Sequence, residues 1–351
     1  MKSSLLSISA ENLVYNALTL KDKVGSYYCV LKSDAYGHGA TLCASALYEA
    51  GMRHFAVFSL DEALEIKPYV NGSDVLILGR TPSRYAEMLK RNSFIQTVFS
   101  SEYARELLPF ANGMRLHIKL DTGMNRSGFR DAPKDIYSAV SGLKGAIEGV
   151  YTHFHCADAD SLSVTVGQLE VFKRKACELE TLLSKTLTKH TAASAAALRL
   201  EDARMDLCRI GLALYGCLPD NCEKICELKP VMSFSAPVIS VRDVKKGENI
   251  GYGCDRIAKA DITVATASVG YANGLSRAAE QLFRPMINGR RVGFVGRICM
   301  DRCMLDVTGI DVKPYDTVEL FGKNISVCEL SCSENTISYE VLTRVGRMNA
   351  K

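Results

Sequence analysis

Eight short apolar runs, each followed by a stretch with helical spacing, constrain this chain more than any other feature. They lie near residues 26–31, 54–58, 74–78, 96–99, 115–120, 146–152, 186–190 and 205–208. Continuous apolar runs of this length are the mark of parallel strands covered on both faces. Amphipathic segments such as residues 84–90, 102–110 and 164–183 fill the gaps. Strands and helices in alternation predict an α/β fold, and eight repeats predict a closed (β/α)8 TIM-type barrel rather than an open doubly wound sheet. A helix over residues 10–23 precedes the first run, with Ser9 as its N-cap and Leu13, Ala17, Leu18 and Leu20 on its apolar side.

After Gly216 the pattern changes. A turn-rich break, Leu218-Pro219-Asp220-Asn221, leads into mostly strands near residues 232–242, 261–268, 291–295, 304–307 and 317–321, with a late helix only near 338–345. This predicts a separate, mainly β C-terminal domain, so residues 1–225 are read as the barrel and 226–351 as the second domain. The 43 basic and 39 acidic residues are well mixed and leave a net charge of only +4, so no basic block points to a nucleic acid or a membrane surface. The N-terminus shows no secretory signal, and no run of about twenty apolar residues offers a membrane span. Thirteen cysteines, dispersed and odd in number, read as cytosolic thiols. Cys217, Cys222 and Cys226 cluster without a Cys-x-x-Cys pair, so no metal is expected. A cytoplasmic protein follows.

The chemistry gathers at the strand ends, where barrels place their sites. Lys32 closes the first run, followed by Tyr36, His38 and two glycines. A lysine on a loop is ordinarily a solvated cation. Held against an apolar strand, it is instead a nucleophilic amine whose pKa falls through desolvation, ready to form a Schiff base. After the fifth strand comes Arg126, able to hold an anion through two parallel hydrogen bonds or, blandly, to make a surface ion pair. The sixth brings His153, which alone would read as a core histidine. The seventh brings Ser194, either an N-cap for residues 195–200 or a phosphate ligand, and the eighth brings Arg209, Gly211 and Leu212. Barrel phosphate sites favour the loops after strands seven and eight, where Ser194, Gly211 and Leu212 stand.

The run Leu31-Lys32-Ser33-Asp34-Ala35-Tyr36-Gly37-His38-Gly39 resembles the cofactor-lysine signature of the alanine racemases, which carry pyridoxal 5'-phosphate (PLP) on that lysine. Similar stretches extend over nearly the whole chain. The resemblance implies that Lys32 is cofactor lysine and one racemisation base, and that Tyr271 in Gly270-Tyr271-Ala272-Asn273-Gly274 is the second base. It implies phosphate contacts from Tyr36, Ser194, the amides near Gly211 and Leu212, and Tyr339. It places His153 beside the cofactor ring, Arg209 at the pyridine nitrogen, and Arg126 near the substrate carboxylate. Met300, in Arg297-Ile298-Cys299-Met300-Asp301, also approaches that carboxylate. Lys119 matches a position that is a carbamylated lysine in many members. The family pattern further implies a homodimer with shared active sites and a supply of D-alanine for peptidoglycan.

Three positions depart from the common pattern: Asn273 and Ala193 stand where aspartate and asparagine are usual, and Leu275 replaces an aromatic residue. They bear on turnover and substrate preference, and leave open a racemase of broader amino-acid specificity. An amino-acid decarboxylase of the same architecture would be expected to carry an acid where Arg209 stands. A PLP-carrier barrel would lack the domain holding Tyr271 and Met300.

Overall fold

The computed structural model describes residues 5–219, 222, 225–254 and 256–349. The eight apolar runs form short parallel strands: Tyr27–Val30, His54–Val57, Asp74–Ile77, Ile95–Val98, Arg115–Lys119, Ile147–Tyr151, Thr188–His190 and Cys208–Ile210. From the first to the seventh each pairs with the next in sequence, and the eighth returns to the first. Between the seventh and eighth, Asp206 N–H donates to Lys189 O (3.1 Å) and Arg209 N–H to Ala192 O (2.8 Å), so the sheet is a nearly closed barrel. The strands are covered on both faces, with Phe55, Ala56, Val57, Val75, Leu76 and Ile77 fully buried because helices cover the outside, and with Gln96, Thr97, His117 and His190 as buried polar side chains among them.

The last strand begins at Cys208 rather than at 205. Met205 adopts a left-handed φ of 53°, which breaks the extended run before the strand can start. The helix Ala10–Val24 buries Leu13, Ala17 and Leu20 as expected. Leu18 is 44% exposed, since it stands one residue, about 100° of helix rotation, from Ala17. No helix among the described residues is long and apolar enough to cross a membrane.

Residues 11–35 and 40–229 form one compact unit containing the barrel; the second comprises the N-terminal strand, residues 36–39 and the chain from Pro230 onward. Its sheet is antiparallel throughout, in the order Arg290–Arg291, Met286–Ile287, Thr317–Phe321, Met232–Val244, Ile262–Ala267, Cys303–Asp306, Gly293–Val295. Met232–Val244 buries Met232, Phe234, Ala236 and Val238 in strict alternation, and Leu5–Ile8 pairs with its beginning. That N-terminal strand is too short to read from sequence. The expectation of a single late helix is corrected: Val327–Ser333 precedes Ser338–Asn349, started by a reciprocal cap between Ser326 and Glu329. Asp220 and Asn221 of the expected break lie outside the described residues.

Candidate active site

Immediately after the first strand the backbone does something no propensity foresees. Ser33, Asp34, Ala35 and Tyr36 all take φ between 52° and 55°, and Gly37 takes 80°, so the chain makes a turn of left-handed helix before the helix Ala40–Glu49 begins. Each non-glycine residue there costs roughly 1–2 kcal/mol. The turn is held by named bonds: Ala35 N–H to Leu31 O (2.8 Å), Ser33 N–H to Glu62 Oε1 (2.7 Å) and Ala40 N–H to Asp34 Oδ1 (2.6 Å). Lys32 stands at its head, half-buried, and burial followed by the nearby charge of Arg126 lowers its amine pKa, with Glu62 acting in the opposite sense. A depressed amine pKa at a strand end is what a nucleophilic lysine needs.

Arg209 enters from the last strand and is buried, 4% exposed. It donates to the carbonyls of His190 (2.6 Å), Thr152 (2.6 Å) and Thr191 (3.0 Å), and to the Nδ1 atoms of His190 (2.8 Å) and His153 (3.3 Å). Burial lowers its pKa to about 10, which still leaves it charged at neutral pH. Arginine only donates, so both histidines present a lone pair at Nδ1 and carry their proton on Nε2. His190 can then donate onward from Nε2 to His117 Nδ1 at 2.9 Å, while the Tyr151 ring stacks on it at 4.6 Å. Burial, then the charge of Arg209, holds both His153 and His190 well below the usual imidazole range, so they are neutral.

The fifth strand ends in Lys119, 8% exposed, whose ammonium donates to Ser127 Oγ at 2.6 Å. Burial, then Arg126 and Arg209, lowers its pKa to about 8. Asp121 accepts the amides of Gly123 (3.0 Å) and Asn125 (3.1 Å), shaping the loop that carries Arg126. Arg126 is exposed and makes no ion pair among the described residues, so the surface-pair reading does not describe it. Ser194 is not an N-cap either. It is the first residue of the helix Ser194–Arg199, Ala193 holds the cap position without a side-chain bond, and Ser194 Oγ instead accepts the amides of Gly211 (3.3 Å) and Ala213 (3.4 Å).

Toward His153 the cations of this cluster act in one sense, although Glu62 opposes the shift at Lys32 and Asp121 that at Lys119. Lys32, Lys119, Arg126 and Arg209 all act on His153 to keep it unprotonated. Like charges brought this close call for an anionic ligand. A phosphorylated cofactor joined to a carboxylate substrate supplies one, and a lysine with a depressed pKa suits its aldehyde, so the barrel's donor set fits PLP.

In the second unit, Tyr36 is buried, 7% exposed, and burial pushes its phenol well above the usual range, so it is a neutral hydroxyl; its ring lies 5.9 Å from that of Tyr339. Here the approach of Gly37 to Gly346 is close enough that a Cβ on Gly346 would sit 2.1 Å from Gly37 O. Tyr271 opens a short turn, Tyr271–Asn273, and is 41% exposed. Its N–H donates to Cys299 O (3.1 Å) and that of Ala272 to Met300 O (3.0 Å), so the two motifs of this unit lie side by side. Only glycine fits at 270, because a Cβ would stand 2.2 Å from Cys299 O. Tyr271 shares a cavity of about 370 Å³ with Arg277 and Arg344. Met300, 55% exposed, lines another of about 530 Å³ with Arg242, Tyr252 and Met304. Asn273 Oδ1 accepts the Gly270 amide at 3.2 Å, so this departure keeps an oxygen acceptor and drops only a charge. Leu275 is fully buried.

The sequence reading missed Glu62, His117 and His190. A histidine within or closing an otherwise apolar barrel strand is the signal that could have marked the last two, since buried polar side chains need partners.

A nearly closed β/α barrel with a lysine of lowered pKa at a strand end, followed by an antiparallel β domain, defines a two-domain barrel enzyme. The alanine racemase N-terminal domain model matches residues 8–219, and the C-terminal domain model matches residues 231–351. The chain belongs to the alanine racemase family. Alanine racemase 1 of Caldanaerobacter subterraneus subsp. tengcongensis is 33% identical, over 99% of this chain and 94% of that protein. Among solved structures, alanine racemase from Bacillus anthracis with bound L-Ala-P has a TM-score of 0.88 at 31% identity, covering 98% of this chain and 93% of that one. That from Streptomyces coelicolor A3(2) reaches a TM-score of 0.91 at 27% identity, covering 98% and 96%. The activity of the chain is alanine racemisation, an isomerase reaction.

Proposed function

We propose that the chain racemises alanine with PLP carried on Lys32, using Lys32 and Tyr271 as bases on opposite faces of the substrate. The observation that carries this reading is the convergence of Lys32, Lys119, Arg126 and Arg209 on a neutral His153 at the barrel's strand ends. When bound, the cofactor acidifies the α-proton by drawing electrons into its ring. Arg209 can only donate, so beside the pyridine nitrogen it would leave that nitrogen unprotonated, which would limit charge storage and favour fast return of the proton. Lys32 Nζ holds the proton on one face and Tyr271 Oη on the other. Ser194, Gly211 and Leu212 receive the phosphate, with Tyr36 and Tyr339 as further contacts, and Arg126 and Met300 meet the substrate carboxylate. Lys119, with its pKa near 8, has enough neutral amine to add carbon dioxide, and the resulting anion would support Arg126.

The chain is further proposed to act in the cytoplasm as a homodimer, with Tyr271 of one copy serving Lys32 of the other, and to supply D-alanine for peptidoglycan. Two-fold symmetry makes both shared sites equivalent. One added methylene changes binding by only about 1–3 kcal/mol, so discrimination against serine or 2-aminobutyrate should be modest. The test is chiral analysis of pure L-alanine and pure D-alanine incubated with protein and PLP, with borohydride then fixing the cofactor to a peptide. Both enantiomers should converge on one mixture and the label should sit on Lys32. A label elsewhere would contradict the assignment, and equal kcat/KM for alanine and lysine would favour the broader racemase.

A further inference from the structure

A turn of left-handed helix leaves its first amides without partners in their own turn, as any helix does. At Ser33 the missing acceptor comes from 29 residues away: Glu62 Oε1, at 2.7 Å. The other oxygen of the same carboxylate, Oε2, accepts Phe58 N–H (2.6 Å) and Ser59 N–H (3.2 Å), while Glu62 N–H donates to Ser59 Oγ (3.2 Å). The bonds with Ser59 form an ordinary reciprocal cap on the helix Leu60–Ile66. The bond to Ser33 exceeds what capping needs. It ties the residue after Lys32 to the loop that leaves the second strand.

We propose that Glu62 is a positioning residue for racemisation: its carboxylate clamps the head of the left-handed turn, fixing where the Lys32 amine stands, and provides the countercharge near it. The proposal rests on reading Lys32 as the cofactor lysine. A backbone held at left-handed φ through four non-glycine residues persists only where its surroundings over-determine it. Here the clamp is one carboxylate with both oxygens engaged. Its charge also opposes the depression of the Lys32 pKa caused by burial and Arg126.

The test compares Glu62→Gln with Ser59→Ala in the PLP-loaded protein. Glutamine keeps the size but loses the charge and one acceptor oxygen, whereas Ser59→Ala weakens the same helix cap without touching Ser33. Glu62→Gln should lower kcat by about tenfold to a hundredfold, the scale of a misplaced reacting group, with KM within about threefold. The pH at which the visible absorbance of the bound cofactor titrates should move down, since the lost charge favoured the protonated form of the Lys32 nitrogen that carries it. Ser59→Ala should shift neither. Equal losses in the two variants would reduce Glu62 to a helix cap and overturn the proposal, as would an unchanged kcat and titration. If Glu62→Gln does not fold, hydrogen exchange at the Ser33 amide of the wild-type protein decides: slow exchange supports the clamp, and exchange at the rate of an exposed loop refutes it. Borohydride labelling separates the two readings. A wild-type label away from Lys32 would remove the cofactor assignment and the clamp with it; a label on Lys32 with full activity in Glu62→Gln would remove the clamp alone.

Discussion

Arg209 is the residue whose chemistry is most constrained by what surrounds it. It is a buried cation whose hydrogen-bond partners are carbonyls and imidazole lone pairs, with no carboxylate among them in the described residues. Burying a charge without an opposite charge is costly, and such arrangements concentrate at functional sites. Replacing Arg209 with glutamate should slow racemisation in both directions by about 10²-fold or more, the scale of a lost electrostatic stabiliser. Full kcat in that variant would show that the pyridine contact lies elsewhere. Much of this was legible at the residue scale. Arg209, His153 and Lys119 could be grouped from their positions at or near strand ends because strand ends share one mouth in a barrel. Whether Ser194 caps its own helix or faces Gly211 was not legible, because that choice depends on a loop 17 residues away. Glu62 was invisible for the same reason: its bond to Ser33 spans 29 residues.

At the scale of elements, the strands were readable because buried parallel strands are rich in apolar residues, although most of their ends moved by one to three residues; the last starts late because Met205 takes a left-handed conformation. The left-handed turn was not readable. Ala35 and Tyr36 carry no preference for positive φ, and Asp34 tolerates it only as a single residue, so tertiary contacts impose the run. One of those contacts is the approach of Gly37 to Gly346. Gly346→Ala would press a Cβ onto the Gly37 carbonyl, backbone against backbone, and should cost about 1–3 kcal/mol of stability, as overpacking does. Thermal unfolding measures this, and an unchanged Tm would mean that the turn can move aside. A second element-scale device lies at the other end of the strands. Arg115 bonds Asp74 (2.8 Å) and Glu148 (2.9 Å), and Asp74 also meets His54 (3.2 Å). The His54 hydrogen bond, then Arg115, holds the Asp74 pKa at about 2, below its ordinary 3.8. Between those values the unfolded chain binds the extra proton, so this stabilisation is complete above about pH 4 and is lost as pH falls toward 2. In Asp74→Asn, denaturant titrations should show that part of the acid-limb slope removed; an identical slope would contradict the assignment.

For the whole molecule, the proposed mechanism draws its two bases from two copies. The alternation of strands and helices and the later change to antiparallel strands were both written in the sequence, because each follows from local periodicity. Assembly is not local, and only resemblance pointed to it. The decisive measurement mixes Lys32→Ala with Tyr271→Phe subunits, one of them tagged so that exchange is proved by co-recovery. Each variant alone should be nearly inactive toward both enantiomers. After exchange, about half the dimers should be mixed, each holding one intact and one doubly damaged site, and roughly a quarter of wild-type activity should return. Recovered mixed dimers with no regained activity would contradict the shared site and, with it, the claim that racemisation needs the dimer.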